Sequence, residues 1–448
     1  MHSAPFFLVL TCIAAIVQCI GGLALDKESL EKLKNAYNKL MPAERQIRRF
    51  VDVNVDSDDS WLLVASTINA TILTDLGDKH FNIELVASEL AETGFKRELA
   101  LASGAFDSEY FMLTEVLPRM NELALEFADT SEKLFPELLE VKAGSHWIKL
   151  NSAHGLWEKG GSQHATTYDE VALVTRSLAK WHAMSAVIIE RGLDTSGYLK
   201  EGLTMRNKKR TLPFYRALLE NFAELVGVTW GPEWSTIASQ STELATVVGQ
   251  KIIEIYQSPG IGLKVINHGD IFLGNMIFCH GISDTLTTPS PIALKFAHFP
   301  TSFAGSPALD VNNLLYTLPS VKTVLHHRTR LLRQEYYPSL VSYLGKFRYR
   351  GPVPTLTELE DELSRTELIG VLGSINFFKD YVFEKNDPAK PDVFDLVETS
   401  WKTGVLKVNM TGMLKNQFSD VIKTVMVRVL EGDIFGKHLT KKVSTIKT

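Results

Sequence analysis

The chain has 448 residues, 45% of them hydrophobic and 22% charged, with 29 Gly and 17 Pro. This composition excludes disordered, collagen-like and coiled-coil classes and allows roughly two or three domains. Forty-seven Lys and Arg against 52 Asp and Glu give a net charge of −5, which speaks against nucleic acid as a partner, because phosphate binding draws on a basic surface.

Residues 1–24 contain no Asp, Glu, Lys or Arg, run apolar from Phe6 to Val17 and end on Gly22-Leu23-Ala24. They read as a cleaved secretory signal peptide, with an uncleaved signal anchor as the alternative. The expected location is secreted or within the secretory pathway, with no membrane contact beyond this segment. Export gives meaning to the glycosylation triplets at Asn69 and Asn409. Of three cysteines, Cys12 and Cys19 lie in the signal, so there is no disulfide framework. Cys279, beside Met276-Ile277-Phe278, reads as a small buried residue.

The mature chain opens on an amphipathic pattern from Asp26 to Met41, stopped by Pro42. Alternation at Val51, Val53 and Val55, β-branched residues from Leu62 to Leu73, a turn at Asp75–Asp78 and alternation at Phe81, Ile83 and Leu85 predict an antiparallel sheet over 45–90. A helix is expected from about Ser103 to Glu126. Helical spacing at Val171, Val174, Leu178, Trp181, Ser185 and Ile188 predicts a helix closed by Gly192. Three strand-like runs follow, at Lys264–Ile266, Met276–Phe278 and Ile292–Phe296, the last two separated by a polar loop. Ser306-Pro307 opens another helix with Pro at its first position, and Gly412 to Leu430 reads as an amphipathic one. A small β lobe, a connector and a larger helical lobe with a β island follow the order of a two-lobed, kinase-like α+β fold. The expected division is 1–24 signal, 25–148 N-terminal helix and small β lobe, and 149–448 large lobe, with a catalytic-loop-like segment at 265–296.

That segment carries the chemistry: Asn267-His268-Gly269-Asp270-Ile271-Phe272-Leu273-Gly274-Asn275. A catalytic-loop Asp accepts or orients the proton of a substrate hydroxyl, and an Asn five residues later holds a metal ion. Asp270 and Asn275 have that spacing, and they lie between two short apolar runs. On the plainer alternative, Asp270 bonds local backbone and Asn275 caps a turn. His268 is expected to orient the loop, and His182 to be a packed core histidine. The chain has no H-E-x-x-H, C-x-x-C, G-x-S-x-G or P-loop pattern.

The sequence resembles the CHK kinase-like family (ecdysteroid kinase-like, choline-kinase-related). The resemblance rests on His268–Phe278, on Leu178-Ala179-Lys180-Trp181-His182-Ala183-Met184-Ser185, on Phe106-Asp107-Ser108-Glu109 with Leu117-Pro118, and on Ser306-Pro307-Ala308-Leu309-Asp310. It implies a bilobal protein-kinase-like fold of the aminoglycoside and choline kinase type, with a small β-rich N-lobe and a larger helical C-lobe. It also implies ATP and Mg as cofactors, phosphorylation of a small-molecule hydroxyl, Asp270 and His268 as catalytic residues, Asn275 as a metal ligand and Glu109 as a nucleotide-site residue.

Four departures set this chain apart. The family's metal-binding Asp of a D-F-Q triplet is replaced by Lys295, in Leu294-Lys295-Phe296-Ala297. At ~4 Å and an effective dielectric of ~20, a unit-charge pair is worth about 4 kcal/mol, so the swap turns attraction into comparable repulsion. No Gly lies between Gly22 and Gly77, and the expected phosphate loop, Asp56–Ser60, is acidic. The strand at Phe81–Ala87 has no Lys to meet a nucleotide's phosphates, and neither Lys79 nor Lys96 is expected inside it. The hinge reads Trp147-Ile148-Lys149-Leu150-Asn151.

Glu109 and Lys295 therefore mark degenerate cofactor positions, and Asp270 and His268 are vestigial if activity is lost. The expected function is a pseudokinase that binds a small molecule or a protein, with no cofactor. The rivals are an active ATP- and Mg-dependent kinase of a steroid, choline-like or other small alcohol, and a secreted carrier.

Overall fold

A computed structural model describes residues 46–59, 64–74, 77–89, 94–131, 133–142, 146–151, 157–160, 167–280, 291–318, 320–377 and 416–439, with 31, 34, 35 and 38. The expected signal segment 1–24, nearly all of the expected 26–41 helix and Asn409 lie outside the described residues.

Strands β1 (Arg49–Asp59), β2 (Val64–Thr74) and β3 (Gly77–Glu89) form the predicted antiparallel meander. Its β1–β2 turn corrects the expected phosphate loop. Asp56, Ser57, Asp58 and Asp59 pair with Thr67, Ser66, Ala65 and Val64, so they belong to β1 and the connection is 60–63. The ladder continues through the acidic residues because β2 supplies partners for their backbone groups. Lys79 is likewise inside β3, near its start, while Lys96 lies on the following helix.

Helix α1 (Gly94–Ser103) begins nine residues before the expected start. Gly104, at φ 62°, breaks it from α2 (Ala105–Phe111); glycine takes that left-handed turn without a Cβ penalty. A π-helical turn, Met112–Val116, joins α2 to α3 (Leu117–Glu126), and the Leu117 N–H reaches back five residues to the Met112 carbonyl. Pro118 follows directly. Its ring would press on the carbonyl four residues back in a regular helix, and the widened turn relieves this.

Strands β4 (Glu137–Lys142), β5 (His146–Asn151) and β6 (Trp157–Lys159) come next. Helix α4 (Tyr168–Glu190) starts on a capping box: Glu170 N–H bonds Thr167 Oγ1 at 3.3 Å, and Thr167 N–H bonds Glu170 Oε2 at 3.0 Å. It ends at Gly192, φ 96°. Helices α5 (Lys208–Thr229) and α6 (Ser235–Gln257) pack as a pair. Then come β7 (Val265–Asn267), β8 (Met276–His280), β9 (Pro291–Phe296), β10 (Phe303–Gly305), α7 (Ala308–Thr317), α8 (Tyr337–Lys346), α9 (Leu356–Phe377), α10 (Asn416–Glu431) and α11 (Ile434–Leu439).

The chain forms two compact units, and neither is continuous in sequence. The smaller comprises residues 1–118, 131–159 and 276–300; the larger comprises 119–130, 160–275 and 301–448. The expected linear boundary at 148/149 is therefore replaced by an interleaved one. Its physical cause is strand pairing: β6 bonds β8, and β8 bonds β9, which carries 276–300 into the smaller unit.

The smaller unit contains a five-stranded antiparallel sheet in the order β1-β2-β3-β5-β4 and the three-stranded sheet β6-β8-β9. Leu99, Ala105, Met112, Leu113 and Val116 of its helices are buried, as are Phe296 and Phe299. The larger unit is helical around the β7–β10 pair, with α7 against α9 and α4 against α8. Helix α4 is buried through most of its length, from Val171 to Ile188. Among the described residues no helix is long and apolar enough to cross a membrane.

Candidate functional site

The loop His268–Asn275 belongs to the larger unit, and the residues that fix it come from α4, α7 and the two positions before β10. Strand β7, which feeds the loop, is tied to α4 along one edge and pairs with β10 along the other. Trp181 Nε1 donates to the Ile266 carbonyl at 2.8 Å, and the Ile266 N–H donates to Ser185 Oγ at 2.9 Å. At the next position Asn267 Oδ1 accepts the Asp310 N–H at 3.3 Å.

Asp310, two residues inside α7 and 1% exposed, then grips the loop from below. Its Oδ2 accepts the His268 N–H at 2.6 Å and its Oδ1 accepts the Gly269 N–H at 3.0 Å. His182 Nε2 lies 3.3 Å from the same Oδ2, and His182 Nδ1 lies 2.7 Å from the Tyr336 hydroxyl. The tautomer follows from the partners. A carboxylate only accepts, so Nε2 carries the hydrogen toward Asp310 and Nδ1 accepts from Tyr336. Burial, then the nearby Asp310 charge, hold the Tyr336 phenol well above its ordinary pKa, which keeps it a donor. His182 is thus the packed, hydrogen-bonded core histidine expected.

Gly269 takes φ +83°, and a Cβ there would stand 2.3 Å from the Thr301 carbonyl oxygen. No other residue fits that close approach. The two hydroxyls following, Thr301 Oγ1 and Ser302 Oγ, donate to the His268 carbonyl at 3.2 and 3.1 Å. The His268 ring accepts the Asp270 N–H on Nδ1 at 3.3 Å, so it props the loop, as expected.

Asp270 is half-buried. Asn275 donates its amide to both the Asp270 carbonyl, at 2.9 Å, and the carboxylate Oδ2, at 2.8 Å. Within the loop the Phe272 N–H bonds the Asp270 carbonyl and the Asn275 N–H bonds the Phe272 carbonyl, both at 3.0 Å, while Thr317 Oγ1 caps the Ile271 carbonyl. Asp270 and Asn275 are therefore brought together, and the carboxylate is held in one orientation. Such a group is suited to accept or orient a hydroxyl proton. The residues that hold the loop, Trp181, Ser185, His182 and Asp310, come from the sequence motifs of α4 and α7, whereas Tyr336, Thr301 and Ser302 carried no signal in the sequence.

The remaining expected residues lie in the smaller unit. Lys295 sits in β9 opposite Ile277 of β8 and is 5% exposed. Glu109, on α2, is fully buried, and its Oε2 accepts the Phe299 N–H just beyond β9, where His298 turns the chain with φ +61°. The former hinge segment Trp147–Asn151 lies in β5, paired with β3 and β4. Asn69 is in the middle of β2, paired with Asn54 and Glu84 on either side. Cys279 lies in β8, opposite Trp157 and Ala293, and is half-buried.

A family profile described as the ecdysteroid kinase-like family matches residues 62–349, more than half of the chain. The chain belongs to the ecdysteroid kinase-like family. The fold is accordingly the protein-kinase-like α+β fold, with the β-rich part first and the helical part after it. No curated protein matches the sequence. Similar solved structures include the choline kinase LicA from Streptococcus pneumoniae, 10% identical, covering 89% of this chain and 98% of that one at a TM-score of 0.38. A glucosamine kinase, also 10% identical, covers 88% and 93% at 0.30. Likenesses this weak carry no argument about substrate.

Proposed function

We propose that this member of the ecdysteroid kinase-like family is an exported, kinase-like binding protein that has lost Mg-ATP phosphotransfer, and that its ligand is a small molecule or a protein. The observation that carries the reading is Lys295: a buried ammonium in β9 at the sequence position where the family has its metal-binding Asp. Magnesium takes oxygen donors in near-octahedral geometry. Asn275, the metal ligand the resemblance implies, offers one neutral amide oxygen, and Lys295, standing at the position of the family's Asp, offers three N–H donors and no lone pair. Neither residue supplies a charged oxygen to a divalent cation. The absence of Gly between Gly22 and Gly77, and of Lys in the β3 stretch Phe81–Ala87, points the same way for the nucleotide's phosphates. The uncharged apolar segment 1–24 supports export.

One observation favours a second reading, an active kinase of a steroid, choline-like or other small alcohol. The loop geometry is intact, with Asp270 oriented by Asn275 and the loop's N–H groups held by Asp310. Thermal melting with ATP, with and without Mg²⁺, separates the two. The pseudokinase reading predicts no metal-dependent rise in Tm. A rise that requires Mg²⁺ and disappears in Asp270→Ala would overturn the pseudokinase reading and favour the active kinase.

A further inference from the structure

A cavity of about 220 Å³ lies in the larger unit, where the end of α6, the segment Lys200–Met205 and strand β10 meet. The loop residues His268–Asn275 do not line it, so it is distinct from the candidate catalytic loop.

Its lining is sorted by depth. Met205, Ile255, Leu263, Phe303 and Leu309 are buried, whereas Lys200 and Lys264 are exposed and Glu201 is half-buried. Charge therefore stands at the mouth and apolar surface inside. Two glycines fix the aromatic wall. A Cβ on Gly202 would come within 2.9 Å of Phe303 Cδ1, and one on Gly305 within 3.2 Å of Cε2, diagonally across the same ring. Backbone thus meets the ring at both ends, where a side chain would press on it. The Tyr256 ring lies beside it, centroids 5.7 Å apart and tilted by 52°.

Tyr256 also supplies a polar group. Its hydroxyl makes no hydrogen bond among the described residues, yet its oxygen is not sealed from a water-sized sphere. The ring is packed on Phe303, and the opening that reaches the oxygen is the cavity the residue lines. Burial, then Tyr215 and the Asp310 carboxylate, push this phenol well above its ordinary pKa. It is therefore an O–H donor, and the same surroundings work against a negatively charged ligand. An unused hydroxyl in an otherwise apolar interior can orient one polar atom of a ligand while the walls take the rest.

We propose that this cavity binds a small neutral aromatic carbonyl compound, its oxygen accepting from the Tyr256 hydroxyl and its ring against Phe303. The volume is below that of pockets for drug-sized ligands, which limits the ligand to about one ring and a short arm. The site stands whether or not phosphotransfer survives.

The test is ligand-observed NMR titration of the full chain with three one-ring probes: acetophenone, its anionic counterpart benzoate, and ethylbenzene, which lacks the acceptor. Acetophenone should bind at least about tenfold more tightly than benzoate. Tyr256→Phe removes a hydroxyl that bonds nothing in the fold and keeps the ring. It should weaken acetophenone about three- to tenfold and leave ethylbenzene unweakened. No binding of acetophenone, benzoate binding as tightly, an unchanged acetophenone affinity in Tyr256→Phe, or an equal loss for acetophenone and ethylbenzene would each overturn the proposal.

Discussion

Asp310 does more for the candidate site than any residue in the loop itself. One buried carboxylate satisfies two consecutive backbone N–H groups, of His268 and Gly269, and also receives His182. Replacing it by Asn keeps one acceptor and turns an N–H₂ toward a backbone donor. Asp310→Asn should therefore cost about 2–4 kcal/mol of stability, from one unsatisfied buried donor and a lost charge-assisted bond. Urea unfolding measures that cost, and hydrogen exchange at His268 and Gly269 should quicken beyond the global change. Unchanged exchange there would mean the loop is held by other groups. Asp310 was visible in the sequence as part of the Ser306–Asp310 match, but its task was not. Its partners are backbone N–H groups 41 and 42 residues earlier, and backbone donors leave no mark in a sequence. Tyr336, 154 residues from His182, was invisible for the same reason of distance.

At the scale of elements, what repeats within a few residues was legible. The meander β1–β3, helix α4 with its closing glycine and strands β8 and β9 all follow from local periodicity and turn residues, and β7 shows as a short apolar run. What depends on a distant partner was not. Strands β6 and β10 are three residues each, too short for a period, and exist because β8 and β7 supply their ladders. The two π-helical turns, Met112–Val116 and Leu331–Tyr336, also escaped the pattern. Each comes directly before a helical segment with Pro at its second residue, Pro118 and Pro338, and in each the first residue after the turn bonds a carbonyl five back. Proline inside a long helical pattern was the signal available; it marks relief of the steric clash rather than an end to the helix.

At the scale of the whole molecule, the chain's last helices are fastened to the larger unit by polar groups. Glu367 of α9 is fully buried; it accepts the Tyr316 hydroxyl at 2.7 Å and pairs with Arg428 of α10 at 3.0 Å and Arg328 at 3.1 Å. Helix α11 packs on α6 and carries His438. Burial, with Lys251 and Lys437 nearby, pushes the His438 pKa down to about 4. Its Nε2 is buried without a partner among the described residues. The folded state thus holds this ring neutral while the unfolded chain protonates it near 6.5. Stability is retained above that value and lost as pH falls from about 6.5 toward 4, by roughly 1–2 kcal/mol at pH 5. Melting at pH 7 and pH 5 should show a smaller loss in His438→Gln than in the natural chain. Equal losses would remove His438 from the account. The interleaved division into two units was not legible either, because 276–300 follows the loop in sequence and joins the smaller unit only through the β6–β8 and β8–β9 pairs.

The proposed function joins a preserved loop to a lost grip on the metal. Electron paramagnetic resonance of Mn²⁺, standing in for Mg²⁺, reads that grip directly in the presence of ATP. For a pseudokinase, adding the protein should leave the spectrum of Mn²⁺-ATP unchanged. A protein-dependent change that requires ATP and saturates at one Mn²⁺ per chain would contradict it.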